Sequence, residues 1–138
     1  MTTFHLVLVV LDPYTHESSW LIDTAGRILT TYSGADCRTA WLVTGTADEA
    51  QEFLGPWAER LLTFADPNRE MVKSLELEHL PALVHLNQQL DIVGAAEGWQ
   101  PPEWREVTTN LASVMSWSRP TVPELSDPTP YIGTPAAG

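Results

Sequence analysis

The chain is short of cysteine, of basic residues and of long apolar runs. Its one cysteine is Cys37, so no intramolecular disulfide can form and no zinc site built from several thiolates is possible. Lys and Arg number 7 against 18 Asp and Glu, a formal net charge of −11. Phosphate backbones and anionic membranes are gripped by clustered cations, so the expected partner is a neutral or basic protein or extended peptide, with no nucleic acid and no membrane insertion. The longest apolar run, residues 6–11, falls far short of the ~20 residues that cross a bilayer. No charged leader precedes it, and the expectation is a soluble, cytoplasmic protein. What is present, 43% hydrophobic and 9% aromatic residues in a chain of 138, suits one folded domain with a core of its own.

Residues 4–11 are nearly all apolar and rich in β-branched side chains, the pattern of a strand covered on both faces, and Asp12-Pro13 ends it. From 18 to 33 the apolar Leu21, Ile22, Ala25, Ile28, Leu29 and Tyr32 recur at helical spacing, with Gly34 as the stop. Residues 39–44 read as a second buried strand, completing a right-handed βαβ unit. Thr46-Ala47-Asp48-Glu49 has the form of a capping box. The helix it opens is expected to divide at Gly55-Pro56 and to continue over 57–64, with a further helical turn within 68–77. Residues 82–86 and 91–95 read as strands joined through Asn87-Gln88-Gln89. A last helix starts at Pro101-Pro102-Glu103 with Trp104, Val107, Leu111, Val114 and Met115 on one face. After Arg119 come Pro120, Pro123, Pro128, Pro130 and Pro135 among Ser, Thr and Gly. The organisation predicted is a domain over 1–119 and a Pro-rich extended or disordered tail over 120–138.

Two short segments carry the functional reading. Tyr14-Thr15-His16-Glu17-Ser18 stands where the first strand runs into a helix, and Leu80-Pro81-Ala82 heads a later strand. In these motifs, in Leu90-Asp91-Ile92-Val93-Gly94 and in the order β-α-β-α-β-β-α, the chain resembles the thioredoxin-like superfamily over about residues 4–117. The resemblance implies a three-layer α/β/α fold with a mixed central sheet and a cis Leu80-Pro81 peptide across from Thr15-His16. It also implies a groove formed by Tyr14, Thr15, His16, Ser18, Leu80, Pro81 and Ala82, which holds an extended peptide by backbone pairing. The chain departs from the redox-active pattern at Thr15 and Ser18, which replace both cysteines of Cys-x-x-Cys. Hydroxyls do not supply the thiolate that attacks a disulfide. Asp23 stands where such proteins carry a helix-kinking proline.

Other readings of the same residues are blander. Thr15 serves simply as a helix cap, and His16 as a solvated turn residue or a pH-responsive contact of Pro81. An alternative function is a glutathione-transferase-like enzyme that binds or activates a small thiol through the hydroxyl of Tyr14, Thr15 or Ser18. Glu17 opposes it by repelling the carboxylates of glutathione, and a Pro-rich tail stands where those enzymes carry an all-helical domain. His5, His79 and His85 lack the i, i+4 spacing of a helical metal pair, so neither a metal nor a cofactor is expected. Cys37 reads as a packing residue at the end of the sheet remote from Tyr14. Trp20, Trp41, Trp57 and Trp104 are expected in the core. Trp99 and Trp117 are expected to be partly exposed, a platform near which Leu125, Tyr131 and Ile132 of the tail dock on the domain or on a partner chain. The function expected is a redox-inactive thioredoxin-like binding module, acting as interaction adaptor, assembly chaperone or accessory subunit of a larger assembly. Insulin reduction by the purified protein should not exceed the buffer control. The variant Thr15→Cys/Ser18→Cys should gain a redox-active pair, because a helix N-terminus stabilises a thiolate; failure of that variant to form a disulfide under mild oxidation would place the junction elsewhere.

Overall fold

An apolar strand needs cover on both faces and partners on both edges, and β1 (His5–Leu11) finds them at the centre of a five-stranded sheet of order β3-β2-β1-β5-β6. The computed structural model describes residues 5–32, 35, 37–115 and 117–137. β2 (Cys37–Val43) lies parallel to β1, and β3 (Leu62–Ala65) parallel to β2 at the outer edge. On the other side β5 (Ala82–Leu86) and β6 (Ile92–Glu97) run antiparallel. This is the mixed sheet that the sequence predicts.

The pleat sends alternate side chains to opposite faces. Val7, Val9, Leu11, Trp41, Val43 and Leu83 share one core cluster with residues of α2 (Ile22–Thr30) and α6 (Pro101–Met115). Leu8, Val10, Leu42, Ala82 and Val84 form the other, with Val72 of α5 (Glu70–Ser74) and Ala136. The capping box is present: Thr46 Oγ1 accepts from the Glu49 amide and the Glu49 carboxylate from the Thr46 amide, opening α3 (Ala47–Leu54).

Several expectations are corrected. The single helix over 18–33 is two pieces, α1 (His16–Ser19) and α2, parted at Trp20-Leu21. There the Leu21 amide turns tightly back to Ser18 O, which draws Leu21 wholly into the core and leaves Trp20 57% exposed. No proline is needed for this break. The expected stop at Ser33-Gly34 lies outside the described residues. The helix expected over 57–64 ends early, as α4 (Trp57–Arg60), and β3 follows. Leu62, Thr63 and Phe64 are good strand formers, and the open edge of β2 decides their fate through backbone pairing. Val114 is exposed and Trp57 half-buried, whereas Trp41 and Trp104 are core residues as expected.

The Pro-rich segment is the largest difference. Residues 117–137 form an ordered strap across the domain, held where Arg27 donates to Thr121 O and Asp127, Arg105 to Val122 O, and Trp117 Nε1 to Thr31 O. Trp99, expected to be partly exposed, is sealed beneath it: the indole donates to Pro128 O and meets Trp104 edge-on at 5.2 Å. Leu125 is fully exposed and Ile132 is 69% exposed, so neither docks on the domain. The strap is anchored by polar groups that hydropathy does not weigh, with Pro120, Val122 and Ala136 as its buried apolar residues.

A histidine pair sits within the sheet, His5 Nδ1 lying 2.8 Å from His85 Nε2. Burial, then the neighbouring His5, lower the pKa of His85 to about 4. Between that value and the ordinary 6.5 the unfolded chain takes up a proton that native His85 refuses, so stability falls as pH falls through this window. Urea midpoints should therefore drop from pH 7 to pH 4.5, by up to about 3 kcal/mol in unfolding free energy. His85→Leu should flatten that dependence, and an equally steep slope in the variant would assign it elsewhere.

Candidate functional site

The strand-to-helix junction is organised around Asp12, the first residue after β1 and 2% exposed. Its amide donates to Ser18 Oγ at 2.9 Å and its Oδ1 accepts from the Tyr14 amide at 3.0 Å. Its Oδ2 pairs with Arg69 Nη2 at 2.9 Å. Thr15 Oγ1 donates to Asp12 O instead of capping α1, which has no side-chain cap, so the capping role expected of it is not the one it has. Ser18 is wholly buried, while Tyr14 and His16 are exposed. Tyr14 donates to Glu49 Oε2 at 2.6 Å, a bond that raises the phenol pKa and lowers that of the carboxyl. Every hydroxyl at the junction is thus committed inside the molecule.

On the facing side the Leu80-Pro81 peptide is cis, and Leu80, Pro81 and Ala82 are buried. The strap runs along Leu80 and packs Ala136 into the cluster that holds Leu80 and Ala82. β7 (Thr134–Pro135) pairs antiparallel with β4 (His79–Leu80), Thr134 opposite Leu80 and Pro135 opposite His79. The Ala136 amide donates to Glu78 O at 2.8 Å, and Ala136 O accepts from Arg69 Nη1 at 2.7 Å. Further back, Tyr131 and Trp99 exchange both backbone bonds, at 2.8 and 3.0 Å. The Tyr131 hydroxyl donates to Glu17 O at 2.6 Å, and its ring meets Trp20 edge-on at 5.6 Å. One extended segment therefore touches α1 through Tyr131 and β4 through Thr134, joining the two halves of the predicted groove. Glycine is required once on the segment and once on the domain across from it. Gly98 (φ +68) and Gly133 (φ +95) are left-handed, and a Cβ on either would strike a carbonyl, of Ile132 and Leu80 respectively.

Of the residues named from sequence as the groove, Leu80 pairs with the strap, Thr15 and Ser18 bond to Asp12, and exposed Tyr14 turns to Glu49; Asp12, Arg69, Glu17 and Gly133 were missed. Buried Asp12 at a strand end and the lone Arg69 had no motif to announce them. Gly133 between Tyr131 and Pro135 was a usable signal. Cys37 is half-buried and pairs in register with His5, at the end of β1 opposite Asp12. Among the described residues no group of three or more His, Cys, Asp or Glu could hold a metal ion, and no helix is long and apolar enough to cross a membrane.

No protein-family model matches this sequence and no curated protein matches it. Solved structures do match. The dsbF protein of MTB superposes with a TM-score of 0.63 at 12% identity, covering 80% of each chain. Hypothetical protein SMc02350 of Sinorhizobium meliloti gives a TM-score of 0.62 at 10% identity, over 96% of this chain and 79% of that one. A secreted Mycobacterium tuberculosis disulfide oxidoreductase, described as homologous to E. coli DsbE, gives 0.56 at 12% identity, over 79% and 81%. The fold is thioredoxin-like, and a chain whose one cysteine is Cys37 carries no Cys-x-x-Cys pair.

Arg69→Met should leave Asp12 buried without a counter-charge. We expect a loss of about 3 kcal/mol of stability by urea titration, with faster exchange of the Ala136 amide, which the clamp holds in place. Stability within 0.5 kcal/mol of the parent would mean that the pair contributes nothing.

Proposed function

We propose that this chain is a redox-inactive thioredoxin-like module that binds an extended segment of another protein, in the manner of an adaptor or assembly chaperone. One observation carries this reading. The backbone edge at His79-Leu80, beside Pro81, is seen holding an extended segment, the chain's own residues 134–135, in an antiparallel pair. Backbone pairing asks for no thiol, so the loss of both cysteines leaves that capacity untouched. A net charge of −11 favours a neutral or basic partner. The glutathione-transferase-like alternative is not favoured, since Tyr14 gives its proton to Glu49, Thr15 gives its own to Asp12 O, and Ser18 is buried. We place the module in the cytoplasm on its sequence alone; pairing without thiols works equally in an oxidising compartment, and one of the similar proteins is described as secreted.

Affinity capture from an extract of the source cell should recover the same partner with and without dithiothreitol. Cross-linking should place that partner at residues 78–80. A partner released by reductant, or glutathione transfer to an electrophile, would overturn the reading.

A further inference from the structure

The segment seated in the groove spells out what the groove accepts. At position 131 the site takes a tyrosine: the ring lies against Trp20, the hydroxyl meets Glu17 O, and the backbone pairs with Trp99. Position 132 points to solvent and asks for nothing. At 133 only glycine fits, because φ is +95 and a Cβ would lie 2.5 Å from Leu80 O. Position 135 suits a proline, because the ladder bond runs from the Ala136 amide to Glu78 O and the pair opposite His79 asks no donor of residue 135. Position 136 must be small, since Ala136 is 1% exposed in the second core cluster. The pattern is Tyr-x-Gly-x-Pro-small.

The strap is also built so that this end can leave alone. Its upstream part has separate anchors, Arg27 on Thr121 O, Glu124 and Asp127, and Arg105 on Val122 O. Between the two sets, residues 129–130 are exposed. The paired end is a strand of two residues, far below the length that holds by itself.

We propose that the groove is a site for a Tyr-x-Gly-x-Pro-small segment of a partner protein, and that residues 131–136 are a resident occupant which the partner displaces. The proposal rests on the peptide-binding reading above and adds its sequence preference and its self-occupied state. A partner, not a second copy, is the source, because two chains each carrying −11 repel. The tether holds the resident end at an effective concentration on the mM scale, so it weakens any competing segment by the fraction of time the groove is closed.

A labelled synthetic peptide with the sequence of residues 130–137 is titrated into the intact chain and into Gly133→Val, whose branched side chain cannot lie against Leu80 O. We expect at least ~10-fold tighter binding to Gly133→Val, and loss of binding when the peptide itself carries Tyr131→Ala. A chain lacking residues 131–138, which keeps the upstream anchors, provides the same comparison. In the intact chain, excess peptide should speed exchange of the Ala136 amide, a readout that needs no variant. Equal affinity for intact and loosened chains, with Ala136 exchange unchanged, would overturn displacement while leaving the peptide-binding reading standing. Absence of binding to every form, with Ala136 exchange unchanged, would overturn both. Elution of the intact chain as a dimer would overturn the choice of partner in favour of strap exchange between copies.

Discussion

The structure turns on one buried ion pair. Asp12 ends the central strand with its side chain 3% exposed, and Arg69, 14% exposed, reaches it from the start of α5. A carboxylate taken from water needs its counter-charge and its hydrogen bonds together. Here it has both, since the Tyr14 amide satisfies the other oxygen. The second amino group of the same guanidinium takes Ala136 O. A single planar cation thereby joins the strand-to-helix junction, α5 and the strap, which three neutral contacts would hold less rigidly.

This clamp explains how a chain so poor in cations remains closed. Lys and Arg number 7 in all, and Arg27, Arg69 and Arg105 all reach backbone carbonyls of the strap. Three cations are thus engaged on the strap, while Arg38, Arg60, Lys73 and Arg119 stay exposed.

The hydroxyls at the strand-to-helix junction are likewise structural. Ser18 accepts the Asp12 amide and Thr15 donates to its carbonyl. Both bonds stiffen the junction. The edge beside Pro81 pairs through backbone and not side-chain chemistry, so it asks nothing of the residues at 15 and 18.

The sequence by itself determined whatever rests on local signals. The apolar run of β1, the box at Thr46 and Glu49, the last helix from Pro101, and Leu80-Pro81-Ala82 at the head of β5 were all legible, because each is decided by neighbours within a few residues. The missing thiolates were legible too, since absence of a sulfur needs no structure to establish. Tertiary structure alone decided the rest. Leu62 to Ala65 became a strand because β2 offered an open edge, and the predicted helix parted at Trp20 because Leu21 had a core to enter. Trp99 became fully buried because residues 128–131 lie over it. Above all, the Pro-rich segment has no periodicity and little apolar content, so nothing local orders it. It is held by the carbonyls it presents to arginines some 70 to 95 residues away in sequence, and by glycines whose backbone only fits against a partner strand. Such contacts exist only once the sheet has brought those positions together.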